Sequence, residues 1–342
     1  MAERIEIGGP HFEDFKRGDA FEDAPAITVS SGHAAIHQAL FGDRLRLPLD
    51  VELCRRVTGV DRALANPSLV CNAAIGQTTY ASQRVKGNLF YRGLVLQSPV
   101  FVGDTLQTVT EIVALKQNRI KPGRPASGMV VLEMTVTNQR QETVLHFWRC
   151  PMIPCRDPEA DTGHADSFDA IPAELDMQAV EAAVPGSWDL EAFRSAIPGA
   201  HFADLRQGDR YVVQGRDTVT CAPELVRMTL NMAATHTDAG GSAYGKRLVY
   251  GGHTISMGAA QVARALPNLV TLIAWRSCDH TAPVFENDIL RTEVEIGAKH
   301  QLAGGGGLVD LEVEVFAERG DQAPEPGQDI RVLDWRVLGL FA

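Results

Sequence analysis

The sequence predicts an α+β protein built from two similar domains, each an antiparallel sheet wrapped around one buried helix. The first observation is an internal repeat, because residues 11–19 (HFEDFKRGD) return at 201–209 (HFADLRQGD). Further along the chain, residues 91–112 match residues 275–296 in the same order. Collinear matches of this kind indicate that the two halves are diverged copies of one domain.

Each copy also carries the alternation that is typical of a half-buried strand. Apolar and acidic residues alternate along 309–315 (VDLEVEV), and 130–136 (VVLEMTV) keeps apolar residues at the same alternate positions. A period of two predicts a strand with one face on a core and the other towards solvent. The second half of each copy is therefore predicted to be antiparallel sheet, in meander order.

One apolar, helix-like segment precedes the sheet in each copy. These segments are 68–85 (SLVCNAAIGQTTYASQRV) and 252–266 (GHTISMGAAQVARAL), and both are rich in Ala, Gly, Ser and Thr. Small side chains allow a sheet to pack closely against a helix. A sheet curled around one buried helix, made twice, is the simplest packing that satisfies both patterns.

The copies define the predicted domain limits. We assign residues 1–155 to the first copy and residues 191–342 to the second. Between them, residues 156–190 are rich in Pro, Ala and acidic residues, a composition that predicts a solvated linker.

Composition excludes several classes of protein. The net charge of −11 argues against nucleic acid or an anionic membrane as a main partner. No window approaches the roughly 18 apolar residues of a membrane span, and the first residues lack a signal-peptide pattern. Six scattered cysteines without a Cys-x-x-Cys pair predict reduced thiols, with no disulfide framework and no zinc site. We therefore expect a cytoplasmic protein.

Four segments together resemble the MaoC-like (R)-specific enoyl-CoA hydratases, and the double-copy layout resembles mesaconyl-CoA hydratases in particular. They are HFEDFKRGD (11–19), RLVYGG (247–252) leading into a helix, APVFENDIL (282–290) at the start of a sheet, and NQRQETVLHFWRC (138–150) in the first copy. The resemblance covers nearly the whole chain. It implies two fused hot dog domains and the reversible addition of water to an enoyl-CoA thioester.

The resemblance places the catalytic histidine at His236. An imidazole can accept and return a proton near neutral pH. The family motif reads Asp-x-Asn-Pro-x-His, whereas this chain has Asn231 in place of the aspartate. An amide cannot shuttle a proton, although it can hold a water. Asp238 either supplies the missing carboxylate or forms a turn. Pro48 stands at the position equivalent to His236, so the first copy is expected to be degenerate and to shape the substrate tunnel.

The VYGGHT segment is predicted to form the oxyanion site. Gly251 and Gly252 begin a predicted helix, where free amides and the positive end of the helix dipole stabilise an anion. The alternative is a tight strand-to-helix turn that needs glycine. Tyr250 and His253 flank the pair and are assigned to substrate binding, with a packed or capping histidine as the alternative for His253.

Basic residues are candidates for the anionic parts of the substrate. A mesaconyl group carries a free carboxylate, for which Arg247 and Arg276 are candidates because guanidinium binds carboxylate bidentately. Arg276 recurs as Arg92 in the first copy, which favours a structural role for that position. For the CoA phosphates, a basic loop is expected to serve, unless it is an ordinary solvated loop. Its residues are Lys116, Arg119, Lys121 and Arg124.

The leading hypothesis is a hydro-lyase that converts mesaconyl-CoA to β-methylmalyl-CoA, a substrate that the resemblance alone supplies. Another enoyl-CoA such as itaconyl-CoA is an alternative substrate. A hot dog acyl-CoA thioesterase and a non-catalytic acyl-CoA binder are alternative functions. We expect no metal and no redox cofactor, since CoA is part of the substrate, and a homodimer is possible.

Overall fold

The computed structural model describes residues 5–319 and 329–342. Each copy opens with a one-turn 3-10 helix, Phe12–Asp14 in the first and Phe202–Asp204 in the second. The first copy continues with β1 (Ala20–Phe21), β2 (Ile27–Thr28), α1 (Ser31–Phe41), α2 (Arg46–Leu49), α3 (Val51–Thr58), α4 (Pro67–Gln77), β3 (Gly87–Val95), β4 (Thr105–Gln117), β5 (Ser127–Thr137) and β6 (Thr143–Pro154).

The rest of the chain repeats this order after two short helices. These are α5 (Met177–Ala182) and α6 (Leu190–Ala196). The second copy contains β7 (Arg210–Val212), β8 (Asp217–Thr218), α7 (Ala222–Met228), α8 (Ala234–Thr237), α9 (Gly251–Ala265), β9 (Leu269–Asp279), β10 (Ile289–Gln301), β11 (Gly307–Glu318) and β12 (Ile330–Phe341). The repeat inferred from the sequence therefore corresponds to a repeat of structure.

The described strands form one antiparallel sheet whose order is symmetric about its centre. The order is β1-β4-β5-β6-β3-β9-β12-β11-β10-β7, with β2 paired to β4 and β8 paired to β10. The predicted meander holds for β4-β5-β6 and β10-β11-β12, but β3 and β9 pair with β6 and β12 instead. Segment 282–290 does not begin the sheet of its copy, because β9 precedes it. The copies join where β3 pairs with β9, at Leu94–Trp275 and Val95–Ala274.

The two central helices, α4 and α9, lie inside the curl of the sheet. Every residue of α4 is buried, as expected of a helix enclosed on all sides. The Asn72 side chain donates to Ser256 Oγ at 2.9 Å and so ties α4 to α9. The prediction of helix as far as residue 85 was wrong. The hydroxyls of Thr78 and Thr79 donate to the carbonyls of the last helical turn and end α4 at Gln77.

The segment between the copies packs against the sheet over its second part. Residues 157–167 are largely exposed, which fits a linker. Ile171, Leu175 and Val180 are instead buried, because they cover apolar side chains on the outer face of the sheet. Residues 156–190 thus serve as a partial cover as well as a connection.

Candidate active site

A cavity of about 270 Å³ lies between the two copies and is lined by residues of both. The second copy contributes α8, the start of α9 and residues that follow α8 and β9. The lining residues are Val85, Lys86, Gly87, Asn88 and Tyr91 from the first copy, and Thr235, His236, Tyr244, Leu248, Val249, Tyr250, Gly251, Thr254, His280, Thr281, Ala282, Pro283 and Val284 from the second. Three of the residues predicted for the site therefore meet in one cavity.

His236 sits on the short helix α8 and is held in a defined tautomer. Its Nδ1 lies 2.9 Å from the carbonyl oxygen of Leu248. A carbonyl only accepts, so Nδ1 carries the proton and Nε2 keeps its lone pair. Burial lowers the pKa of His236 to about 4, and the hydrogen bond to Leu248 opposes this only in part. At neutral pH the ring is therefore uncharged and able to accept a proton at Nε2.

The start of α9 presents two free backbone amides. The residue before the helix, Tyr250, makes no side-chain cap, and the first backbone bond of the turn runs from His253 N–H to the Tyr250 carbonyl. Within the described chain, neither Gly251 N–H nor Gly252 N–H donates to a protein acceptor. Both amides thus remain available at the positive end of the helix dipole.

Both glycines are also required by contact. A Cβ on Gly252 would lie 1.9 Å from Asn72 Oδ1, and a Cβ on Gly251 would lie 2.5 Å from His280 Nε2. Neither contact is possible for a larger residue without displacement. Glycine is therefore required here by close packing and not by a turn conformation that only glycine adopts, because neither residue has a positive φ. The oxyanion role of the free amides stays a prediction.

His280 is a residue of the cavity that the sequence reasoning missed. It follows β9, and its ring touches Gly251 and lines the cavity. The side chain is partly exposed to solvent, and desolvation by the surrounding protein, with a smaller contribution from the charge of a protonated His236, lowers the pKa of His280. The signal was present in the repeat, because the matching position of the first copy is Leu96. A histidine that only one of two copies carries is a candidate for function.

His253 points away from the cavity, as its structural alternative predicts. The ring lies edge-on to Phe41 with centroids 4.9 Å apart, and it is buried in the contact between α9 and α1. Burial lowers the pKa of His253 to about 4. It is a packed histidine, not a substrate ligand.

The structure does not bring Asn231 or Asp238 into the cavity wall. Asn231 is buried, and its side-chain oxygen accepts the N–H of Ala233 at 2.9 Å. Asp238 is exposed and accepts the N–H of Gly240 at 2.9 Å. Both side chains hold local turns, which is the role that Asp43 plays in the first copy by accepting the N–H of Leu45.

Neither of the arginines chosen for the substrate carboxylate lines the cavity. Arg247 lies in a separate surface groove beside Phe285. Arg276 is bound on the outer face of the sheet, where its Nη2 lies 3.2 Å from Asp310 Oδ2. Because a paired guanidinium has no free edge for a second carboxylate, Arg276 has the structural role that its recurrence in both copies favoured.

The basic loop lies on the surface, with Lys116 at the end of β4 and the other three residues between β4 and β5. Lys116, Arg119, Lys121 and Arg124 are all exposed. None of them lines the cavity, but the loop shares an end of the sheet with it. Gly87, in the cavity wall, pairs across the sheet with Met152, Met152 with Met129, and Met129 with Lys116. Three strand spacings separate Gly87 from Lys116, which is about 14 Å.

Comparison with known proteins decides the family. A sequence model of the mesaconyl-CoA hydratase family matches residues 2–268. The chain belongs to the mesaconyl-CoA hydratase family. This membership confirms the relationship inferred from the sequence and the prediction of a hydratase or dehydratase that acts on CoA esters.

Two relatives with named activities resemble this chain over most of their length. The β-methylmalyl-CoA dehydratase of Chloroflexus aurantiacus is 29% identical over 327 residues, 91% of this chain and 88% of that protein. The mesaconyl-CoA hydratase of Cereibacter sphaeroides is 28% identical over 301 residues, 87% of this chain and 86% of that protein.

The solved structures confirm the fold. A conserved hypothetical protein from Mycobacterium tuberculosis, described as a double hotdog, is 46% identical with a TM-score of 0.90, covering 99% of this chain and 100% of that chain. A MaoC domain protein from Chloroflexus aurantiacus, described as a putative dehydratase, gives a TM-score of 0.82 at 26% identity over 99% of both chains. This member of the mesaconyl-CoA hydratase family is therefore a double hot dog.

Among residues 5–319 and 329–342, no three His, Cys, Asp or Glu side chains are grouped so that they could hold a metal ion. Within the same ranges, no helix combines the length and the apolar character that crossing a membrane requires.

Proposed function

We propose that the protein adds water reversibly to mesaconyl-CoA to give β-methylmalyl-CoA. The observation that carries this proposal is that one cavity is lined by both Gly251, the first residue of a helix start with two free amides, and a neutral histidine with an available lone pair. The substrate comes from the names of the two relatives. An enoyl thioester is the substrate class that uses both features at once.

The start of α9 would bind the thioester. The carbonyl oxygen accepts hydrogen bonds from the amides of Gly251 and Gly252, with the positive end of the α9 dipole behind them. When water adds at the β-carbon, negative charge moves to this oxygen, and fixed donors stabilise it without reorganisation. The packing of Asn72 and His280 against the two glycines holds the donors in place.

His236 would carry the proton. Nε2 removes a proton from water as the oxygen bonds to the β-carbon, and the resulting imidazolium returns a proton to the α-carbon of the enolate. The Nδ1–H bond to Leu248 fixes the ring during both steps. His280, a second neutral imidazole against Gly251, is placed to orient the water. The net reaction adds one water and transfers no electrons, so the proposal needs no redox cofactor.

The basic loop is proposed to bind the phosphates of CoA. The acyl group occupies the cavity, and the extended pantetheine arm runs along the sheet end from Gly87 towards Lys116. A separation of about 14 Å suits that arm. Four exposed cations in an acidic chain attract phosphate. The homodimer and the cytoplasmic location stay predictions.

A single assay tests the reaction. Purified protein is given mesaconyl-CoA while enoyl-thioester absorbance and free thiol are followed together. Loss of absorbance without thiol release supports hydration, and β-methylmalyl-CoA should regain the same absorbance from the other side of the equilibrium. Thiol release would identify a thioesterase, and no change in either signal would leave only acyl-CoA binding.

A further inference from the structure

A buried cation lies behind the cavity without a partner of opposite charge. Arg149, on β6, is 4% exposed. Its Nη2 donates to Thr78 Oγ1 at 2.5 Å and to Ser82 Oγ at 2.7 Å, both neutral acceptors. Its Nε has no hydrogen-bond partner, and no carboxylate of the described chain pairs with it. Two less buried arginines, Arg291 and Arg319, each pair with an aspartate.

A structural role accounts for only part of this side chain. Nη2 lies 3.4 Å from the Thr78 carbonyl and so caps the end of α4, where the helix dipole favours a cation. That contact uses one nitrogen of the guanidinium and leaves the Nε edge free. A buried charge is costly unless it is paired, so the unpaired edge needs an explanation beyond capping.

Two tyrosines connect Arg149 with the cavity. Tyr91 is its cross-strand partner, so the two side chains share the inner face of the sheet, and Tyr91 lines the cavity. Tyr250 also lines the cavity, and its buried hydroxyl has no hydrogen-bond partner. Burial raises the pKa of both phenols, while the Arg149 charge lowers it to a smaller extent. Both hydroxyls therefore remain protonated donors.

We propose that Tyr91, Tyr250 and Arg149 form a carboxylate site that selects dicarboxylic acyl-CoA thioesters. The phenol hydroxyls donate to the free carboxylate, and the guanidinium behind them supplies its counter-charge. The thioester lies at Gly251 and the carboxylate at the opposite end of the acyl group. This site rests on the proposed function in one respect, which is that the thioester end of the substrate binds at Gly251.

Binding of two unreactive thioesters tests the site independently of turnover. Succinyl-CoA and butyryl-CoA differ by a carboxylate in place of a methyl group, and calorimetry gives both affinities. The wild-type chain should prefer succinyl-CoA by about 10- to 100-fold, the strength of a charge-assisted hydrogen bond. Arg149→Met should reduce this preference to less than about threefold and leave butyryl-CoA binding nearly unchanged. Arg276→Met is the control, because it removes a guanidinium that is paired with Asp310 outside the cavity, and it should retain the full preference.

Tyr250→Phe keeps the test valid if Arg149→Met does not fold. It removes one hydroxyl that has no partner in the protein, and it should lower succinyl-CoA affinity severalfold without a matching loss for butyryl-CoA. Equal binding of both thioesters by the wild-type chain would overturn the proposal, as would equal losses for both in the variants. Retained preference without hydration of mesaconyl-CoA would refute the proposed function but not this site.

Discussion

The two copies begin their central helices in opposite ways. In the first copy, α4 starts with Pro67, which has no N–H, and the next amide, Ser68 N–H, donates to Asn66 Oδ1 at 2.9 Å. In the second copy, α9 starts with Gly251 and Gly252, whose amides have no acceptor in the described chain. The same helix is therefore closed in one copy and open to a ligand in the other.

The side chains around the two helices also differ, because the first copy lacks both histidines of the cavity. Pro48 and Leu96 occupy the positions equivalent to His236 and His280. In the first copy, Arg149 on β6 pairs with Tyr91 on β3, whereas in the second copy the corresponding strands β12 and β9 pair Val337 with Trp275. The two copies therefore carry different parts of the proposed site. The second copy has His236 and the free amides proposed for catalysis, and the first copy has the unpaired cation proposed to bind a carboxylate.

The largest effect should come from removing His236. His236→Ala should lower kcat for mesaconyl-CoA hydration by about 100- to 10,000-fold, the usual contribution of a positioned general base. His33→Ala, a histidine on the surface-facing helix α1, is the control and should stay within about twofold. Steady-state kinetics measures both, and full activity in His236→Ala would remove the role assigned to this residue.

The second largest effect on kcat should come from giving α9 the proline start of α4. Gly251→Pro removes one free amide and forces His280 away, and kcat should fall by about 100-fold or more. The reciprocal change, Pro67→Gly, should lower the melting temperature slightly through backbone entropy and leave kcat within about threefold. Wild-type kcat in Gly251→Pro would place the oxyanion elsewhere.

The pH dependence should reflect a histidine that is neutral when folded. The pKa of His236 is lowered to about 4 from 6.5, so kcat/KM should stay nearly level from pH 8 to about 5.5 and fall near pH 4. An inflection near pH 6.5 would contradict this expectation.

The free energy of unfolding should also fall as the pH is lowered. Below pH 6.5 the unfolded chain binds protons that the folded histidines take up only near pH 4, so the free energy of unfolding should decrease as the pH falls through that range. Denaturant titrations at several pH values measure the slope, and a His253→Phe variant should show a shallower one. A slope that this substitution leaves unchanged would show that His253 is not among the groups responsible.

The smallest effect should come from the basic loop. Replacing Lys116, Arg119, Lys121 and Arg124 with glutamine should raise KM for mesaconyl-CoA about two- to tenfold and leave kcat unchanged, because only phosphate attraction is lost. The KM of the variant should also depend less on salt. An unchanged KM at low salt would show that these residues form an ordinary solvated loop and do not bind the CoA phosphates.

Much of the architecture could be predicted because it depends on local patterns. The repeat, the alternating strands and the two small-residue helices each occupy a few consecutive positions, and His236 with Gly251 and Gly252 falls within one such stretch. The early end of α4 could not be predicted, because the apolar pattern continues beyond Gln77. The hydroxyls of Thr78 and Thr79 end the helix there by binding carbonyls of its last turn.

By itself the sequence determined the fold and the family, and it predicted one histidine and two neighbouring amides for the site. Only the tertiary structure decided which distant residues join them. The register of the strands places Tyr91 beside Arg149 and brings Arg276 within reach of Asp310. The turn after β9 brings His280 against Gly251. These contacts join residues that are far apart in the chain, so they depend on how the sheet closes around its helices and not on any local spacing.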